Sequence, residues 1–506
     1  MTTGRMDSPS SRLLGTWNQV AMRAYVRQVF CFPLDKTFDD LRALYKRIRD
    51  GLSLASTHLP HFAGTLRVSS NPAGRAFLST SADDTVSLMM FDHREDASFY
   101  WTYPKLKASG FPCKAFVGPL FSLPYELQED GPPVPITEVH ARIIHGGLLL
   151  CFYMHHSVSD GIGMCAFVST FAGHTFPNEG RASGKRTTAR LDADVDIDIP
   201  STSTAKLVRD SAFEQLLQRC PEYVALDEPT GPTASPCIRH GNLPPLCDVA
   251  KTGRIFRFGP DKIAKLKSIA RAWASATLAT SWPSTFACLA AVTWSFCTVS
   301  RIVSRPTSTR NPSRLLVPVS WRRRAFQSQL AGYASNAVCI AQASTDVRHH
   351  LAASTTEAPF SRRIIQEAAL GKLICLIDES INRVDDDFVR LRTALFRAAP
   401  DPRYVGINVD PQDPLHFVVN SWRHLGGDIE FSLPGMMEPK MPEVDGGRRT
   451  ADAVRRAQPE WNMGAGLILP GKENSDYEIL VTLDEASMAN LLANAGWNSW
   501  VSETVE

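Results

Sequence analysis

Histidine is the side chain whose ordinary pKa, near 6.5, best suits it to take and return a proton at neutral pH. The stretch HHSVSDG, residues 155–161, sets two histidines at the end of the apolar run LLLCFYM and a carboxylate, Asp160, four positions after His156. A rigid strand end and a carboxylate-anchored turn would fix the orientation of such an imidazole. Gly161 permits a backbone conformation or a close approach that a Cβ would block. The same residues also fit a structural His–Asp pair in a turn, or a chance match. Metal binding is a third alternative, but no His-x₃-His or Cys/His set accompanies the motif. His58-x-x-His61 and His349-His350 come near, and both look loop-like. The motif alone leaves these alternatives open.

The flanking sequence predicts the elements that would hold it. ITEVHARII alternates, HGG turns the chain, and LLLCFYM follows, which is a hairpin whose second strand is buried on both faces. IGMCAFVSTFA continues after Gly161 as a helix. Residues 38–56 have helical spacing, with Leu41, Leu44, Tyr45 and Ile48 on one face. The first twenty or so residues carry no such pattern and read as loose. Residues 177–200 read as an exposed acidic loop, 205–219 as a short helix, and the proline-rich stretch 226–247 as an interdomain crossing. Beyond it, GRIFRFG, RLLVPVSW, NAVCIAQA, DPLHFVVNSW, GDIEFS and YEILVTL read as strands. PDKIAKLKSIARAWA, the apolar stretch after the N-cap Ser284, and DEASMANLLA read as helices. The mixed α/β rhythm on both sides of the crossing implies two α/β lobes.

Composition narrows the function. The 506 residues carry 44% hydrophobic and 21% charged residues with a net charge of +2, so nucleic acid is not marked as a partner. Basic runs such as Trp321–Arg324, 186–190 and 304–314 are local and fit solvated loops. No uncharged apolar stretch approaches the ~18 residues of a membrane span, and the N-terminus has no apolar core of a signal peptide. Eleven cysteines without CxxC spacing, many in apolar surroundings, fit a reducing compartment, and the expected location is cytoplasmic. The one N-x-S match, Asn311-Pro312-Ser313, has proline in the middle. There is no G-x-S-x-G elbow, no phosphate loop and no G-x-G-x-x-G after a strand. What remains is a general base without a covalent nucleophile or a redox cofactor.

HHSVSDG resembles the HxxxDG motif of the acyl-CoA-dependent acyltransferases called BAHD, and most of all their fungal trichothecene 3-O-acetyltransferase-like members. Further stretches fall in that family's order: STHLPHFAGTLR (residues 56–67), STFACLAAVTWSFCTVSR (284–301), VPVSWRRRAFQSQLAGYASNAV, NSW (420–422), and the closing GAGLILPGKENSDYEILVTLDEASMANLL. The likeness spans about residues 25–495. Departures are Glu430-Phe431-Ser432 where the family has D-F-G, Ser335 for the glycine of Y-x-G-N, and Ser320 for the asparagine of V-N-x-R.

The resemblance implies two chloramphenicol-acetyltransferase-like domains with mixed sheets and a channel between them. The first would span residues 1–205, joined by a segment near 412–437, then a crossing over 206–250 and a second lobe over 251–506. It implies His156 as general base and Asp160 as an orienting residue paired with Arg322 or Arg324. Trp422, Gly161 and His155 would line the substrate side, and Ser284 and Asn336 the coenzyme side. No metal or tightly bound cofactor is implied. Acyl-CoA, acetyl by default, would be the co-substrate and a hydroxylated secondary metabolite the acceptor, in a monomer that binds neither nucleic acid nor membrane. Peptide-synthetase condensation domains, with HHxxxDG and carrier-protein thioesters, are the rival. A catalytically dead binding homologue is a second.

Overall fold

An apolar run with no polar alternation belongs in the middle of a sheet, covered on both faces. In the computed structural model, LLLCFYM lies in the strand Gly147–His155, and every residue of that strand is buried. The residues described are 10–96, 99–176, 212–229, 246–276, 282–305, 311–326, 332–348, 365–436 and 449–506. The strand pairs antiparallel with Thr137–Ile144 through a turn at His145 and Gly146, which is the expected hairpin. On its other side it pairs with Tyr25–Pro33. The complete sheet runs Ala453–Arg456, Tyr25–Pro33, Gly147–His155, Thr137–Ile144, Ser87–Asp92.

Strand alternation sorts the two faces of this sheet. Phe30, Phe32, Leu150 and Phe152 pack beneath the helices Leu41–His58 and Gly161–Gly173. The first of these helices starts where Asp40 accepts a hydrogen bond from Ala43 N at 2.9 Å, an N-cap that the periodicity placed a few residues early. On the other face, Tyr25, Cys31, Cys151 and Tyr153 meet Tyr103, Phe111, Phe116 and Phe121.

The second lobe is built on a seven-stranded mixed sheet. Its order is Val338–Asp346, Pro312–Ser320, His416–Ser421, Ala465–Ile468, Tyr477–Asp484, Lys251–Phe258, Glu503–Val505. One face packs on the helices Pro260–Ala276, Thr285–Ser304, Glu367–Asn382 and Glu485–Ala493. The helix Thr285–Ser304 is long and apolar enough to span a membrane, although Arg301 interrupts its uncharged run. Its apolar window is 83% buried in the protein, so here it is a core helix. Arg301 lies inside, donating to Pro411 O at 2.5 Å and to His416 O. Burial pushes its guanidinium down to about 10.

The other face of the large sheet turns toward the first lobe. Ile255, Leu467 and Leu480 meet Cys113, with Trp422 and Trp461 partly buried beside them. Arg455 donates to Glu478 at 2.8 Å across this boundary, and Arg257 holds the same carboxylate at 2.9 Å. Burial opposes the Glu478 charge, but the two guanidinium groups keep its carboxyl below the usual range.

Several expectations change. Residues 10–19 are built in: Ser10–Leu13 pairs with Arg75–Thr80, and the short helix Thr16–Gln19 buries Trp17, Asn18 and Gln19. GDIEFS is not a strand; only Glu430 forms an isolated bridge, to Thr450. The segment near 412–437 does not serve as one joint, because His416–Ser421 belongs to the large sheet. Phe431, Leu433 and the strand Ala453–Arg456 make the return to the first lobe. Within 206–250, Leu216, Cys220 and Tyr223 enter the core of the second lobe. The acidic loop 177–200, most of the proline-rich crossing, the basic run 186–190 and His349-His350 lie outside the described residues. His58 ends a helix, where its ring stacks on His174 at 4.8 Å, and His61 is buried against Phe62.

Leu14 belongs to the first core, whereas Trp17 sits in the second, against Trp321 and Phe396, with its Nε1 donating to Thr393 Oγ1 at 3.1 Å. Trp17→Ala is expected to cost about 3–5 kcal/mol, the range for emptying a buried aromatic site. A thermal or urea unfolding curve checks this, and an unchanged midpoint would contradict the built-in role of the segment.

Candidate active site

The strand Gly147–His155 ends at the motif, and alternation sends its two histidines to opposite sides. His155 is 1% exposed, edge-on to Tyr25 at 5.0 Å, and accepts from Ser157 N at its Nδ1 at 3.3 Å. Burial pushes its imidazole down to about 3, with Arg23 and His156 adding repulsion. A neutral ring locked in the core does not form a substrate wall, which corrects that expectation. His156 is half-buried. Its N–H donates to Ala24 O at 2.9 Å, and its carbonyl accepts from Asn336 Nδ2 at 2.7 Å, so the backbone is pinned from both sides. Its Nδ1 is buried without a hydrogen-bond partner, while Nε2 keeps solvent access and has no protein partner among the described residues.

Asp160 is the N-cap of the helix Gly161–Gly173. Its Oδ1 accepts from Ile162 N at 3.0 Å and Gly163 N at 3.3 Å. It is only 2% exposed, and three further donors come from the second lobe. Arg322 clasps both oxygens, Nη1 to Oδ2 at 2.7 Å and Nη2 to Oδ1 at 3.0 Å, and Ala337 N reaches Oδ2 at 3.0 Å. With every lone-pair direction taken, Asp160 has no capacity left for a substrate proton; it holds the turn.

The tip of the hairpin Pro312–Ser320 and Val338–Asp346 supplies this clasp. Arg322 also donates to Tyr333 O at 2.8 Å and to Ser335 O. Of the two candidate arginines, Arg322 makes the pair. Arg324 instead donates to Asn382 Oδ1 at 3.1 Å and Ile381 O at 3.3 Å, at the end of the helix Glu367–Asn382. The departures from the family pattern fit locally: Ser320 Oγ accepts from Arg322 at 3.4 Å, and Ser335 Oγ accepts from Asn18 Nδ2 at 2.6 Å.

Asn336 is corrected in role. Both its amide hydrogens are spent, one on His156 O at 2.7 Å and the other on Asn18 Oδ1 at 2.8 Å, and it is 3% exposed. It positions the histidine and offers no donor to a coenzyme. Asn18, which nothing in the residue pattern singles out, closes the chain of contacts, accepting from Asn336 N at 3.2 Å as well. Gly161 approaches Leu425 so closely that a Cβ would meet Leu425 Cδ1 at 2.6 Å. Gly163 has less room still, since a Cβ there would run into Ser159 Oγ and the backbone oxygen of Ala334. The tightest glycine of the stretch therefore lies two residues beyond the motif.

Trp422 is partly buried in the apolar cluster between the lobes, its N–H donating to Ile468 O at 2.8 Å, and the loop it opens reaches Gly161 through Leu425. Ser284 is exposed and is an ordinary N-cap, accepting from Ala287 N at 3.2 Å. Its own N–H donates to the Asp378 carboxylate at 3.0 Å. An acid already at that helix terminus disfavours a phosphate there. Phe431 of the altered D-F-G element is fully buried on Phe30 and Phe32, with ring centroids 5.4 and 5.0 Å away, so the element docks the returning chain on the first lobe.

Residues 24–173 match the family described as Trichothecene 3-O-acetyltransferase-like N-terminal domain. The chain is 24% identical over 490 residues to an O-acetyltransferase, dmxR13, of Cryptosporiopsis sp., covering 94% of both chains. It is 22% identical over 479 residues to a trichothecene 8-O-acetyltransferase of Fusarium sporotrichioides, covering 90% of this chain and 92% of that one. Its fold matches F. graminearum TRI101 complexed with coenzyme A and T-2 mycotoxin, with a TM-score of 0.73 at 17% identity over 98% of this chain and 100% of the other. The chain thus shares the two-lobed fold of TRI101, resembles fungal O-acetyltransferases along nearly its whole length, and carries a trichothecene 3-O-acetyltransferase-like N-terminal domain at residues 24–173.

Proposed function

We propose that the protein transfers an acyl group, acetyl by default, from acyl-CoA to a hydroxyl of a small secondary metabolite, with His156 as general base. The observation that carries this reading is the free Nε2 of His156 on a backbone pinned by Ala24 and Asn336. Of the two histidines of the motif, His156 is the one that is only half-buried, whereas His155 is 1% exposed. Nε2 takes the proton of the acceptor hydroxyl as the oxygen attacks the thioester carbonyl carbon. The C–O bond forms and the carbonyl electrons move onto oxygen. Collapse of that tetrahedral oxyanion breaks the C–S bond, and the imidazolium returns its proton to the departing sulfur. No acyl-enzyme forms. A base of this kind contributes roughly 10²–10⁴-fold, so holding both substrates must supply much of the remainder. Ten cysteines among the described residues are free thiols, which supports placing the protein in the reducing cytoplasm.

Thiol release from a panel of acyl-CoAs, with and without hydroxylated terpenoid and polyketide alcohols, tests the reading. His156→Ala is expected to lower kcat by about 10²–10⁴-fold with unchanged circular dichroism. Acceptor-dependent release that survives in this variant sinks the assignment, and a wild type that binds alcohols but releases no thiol is a binding protein. Asn18→Ala, which touches neither substrate, is expected to lower kcat about tenfold to hundredfold with KM little changed, because it loosens the amide that holds His156. Equal loss in KM would point to a merely structural role.

The buried histidines set an acid limit on stability that is separate from activity. His155 and His61 have folded pKa values of about 3, both lowered chiefly by burial. Both lie below the unfolded value near 6.5, so the unfolded chain binds the protons first on acidification. Stability is therefore lost as pH falls from about 6.5 toward 3, by roughly 2 kcal/mol per histidine at pH 5. Urea midpoints measured between pH 7 and 5 check this, and His61→Gln should flatten the slope.

A further inference from the structure

Native proteins rarely leave buried polar groups unpaired, and each exception asks for a cause. In the sheet that carries the motif strand, register neighbours Arg456 and Gln28, with Gln458 close along the chain, have unmet hydrogen-bonding capacity. Arg456 pairs in register with Gln28, which pairs with Phe152 on the motif strand. Gln458 follows two residues after Arg456, just past the end of that strand. Gln28 is 1% exposed and its Oε1 has no partner, while its Nε2 makes one long contact, 3.4 Å to Leu425 O. Gln458 is 4% exposed, and neither its Oε1 nor its Nε2 has a partner.

Arg456 is only partly exposed and has no carboxylate, carbonyl or hydroxyl partner among the described residues. Its guanidinium nitrogens keep solvent access in a deep position, where burial and the repulsion of Arg27 push its pKa down to about 10. Arg27 donates from Nε to Phe121 O at 2.9 Å and from Nη1 to Tyr25 O at 2.8 Å. The contrast with the neighbouring residue is plain: Arg455, on the opposite face, binds Glu478, Phe111 O and Gly110 O.

The register also relates this cluster to the base. His156 lies opposite Ala24, four residues along the shared strand from Gln28, an even number and so on the same face. Two strand spacings and four residues give roughly 17 Å between the Cα atoms of His156 and Arg456, before the side chains close part of the gap. The loop 422–427 overlies the same ground, since Leu425 touches Gln28 and Gly426 would strike Phe30 with a Cβ, at 2.9 Å from its Cζ.

We propose that Arg456, with Gln28 and Gln458, forms a carboxylate-binding subsite for a substrate whose reacting group lies at His156. A planar guanidinium matches a carboxylate in a two-point contact, and its single charge is neutralised by one carboxylate. The glutamine amides add neutral donors on either side. The inference rests on the acyl-transfer reading only for which substrate carries the group: the acceptor, as a hydroxy acid, or the donor, as a dicarboxylic acyl thioester such as malonyl-CoA.

The test is calorimetric titration of the full chain, wild type and Arg456→Gln, with two matched pairs of probes. The acceptor arm uses 4-hydroxybenzoate against its methyl ester, and the donor arm uses malonyl-CoA against acetyl-CoA. In one arm the charged probe is expected to bind wild type about tenfold or more tighter than its neutral partner, and Arg456→Gln to bring the ratio close to one. Arg456→Lys, which keeps the charge and loses the fork, is expected to fall between, and it decides the matter if the glutamine variant does not fold. Removing an unpaired interior cation should also raise Tm, whereas loss of a structural arginine would lower it. Ratios near one in both arms, or a ratio that Arg456→Gln leaves intact, overturn the subsite. Binding needs no turnover, so absent thiol release beside an intact charge preference would refute acyl transfer and leave the subsite standing.

Discussion

The buried pair of Asp160 and Arg322 is the constraint on which the site depends. Their sequence separation is 162 residues, and they face each other across the two lobes. Taking two charges out of water costs several kcal/mol each, and the cost is met only when every lone pair and every N–H finds a partner. Asp160 meets that condition with two helix amides, the Arg322 fork and Ala337 N. Arg322 meets it with Asp160, Tyr333 O and Ser335 O. Lysine, a single point of charge, could not bridge both carboxylate oxygens and also reach two carbonyls. The pair therefore does more than join the lobes: it fixes the helix N-terminus, hence the turn, hence the plane from which His156 projects.

One ion pair does not hold two lobes in register, and the chain reinforces it by crossing. Leu14 and Trp17, three residues apart, belong to different cores. Phe431 and Leu433 return from the second lobe to the first, and Ala453–Arg456 becomes the edge strand of the first sheet before the chain goes back to Ala465–Ile468. Because these connections share strands and core positions, sliding one lobe on the other would break sheet pairing as well as side-chain contacts. The bond from Asn18 through Asn336 to His156 O takes its rigidity from this arrangement. The rigidity of the backbone at His156 is thus a property of the crossings, which lie outside the motif.

Local pattern made part of this legible and could not reach the rest. The hairpin before the motif, the helix after it and the capped helix at Ser284 are short-range structures, each written in contiguous residues by alternation, turn glycine or cap. Arg322 was one of two candidates because spacing alone does not say which of two arginines, two apart, faces the other lobe. His155 looked like a wall residue from its place beside His156, yet strand alternation turns it into the core against Tyr25. Residues 10–19 looked loose because their order comes from tertiary partners, Ala76 for Gln19 and Thr393 for Trp17, that no local signal announces. The same holds for Asn336, whose donors are consumed by residues 180 and 318 positions away. Ser284 illustrates the opposite error: a sound local reading, the N-cap, needed nothing further once Asp378 was seen beside it.

What separates function from scaffold here is the distribution of unmet bonds. Several buried charged groups among the described residues are paired within the protein: Arg392 has Glu222 at 2.6 Å, and Arg301 has two backbone carbonyls. Glu138 is held by His140 at 2.5 Å and Tyr125 at 2.8 Å. Such pairing gives rigidity in return for desolvation. His156 Nε2 and the Arg456 guanidinium keep solvent access, lie on one face of one sheet, and have no hydrogen-bond partner among the described residues. A fold that satisfies Asp160 five times over while leaving these groups unpaired is stabilised at the turn and destabilised at the contacts a substrate would complete. On this view the proposed base and the proposed carboxylate subsite share one sheet: its central strand presents His156, and its edge strand, delivered by the second lobe, presents Arg456.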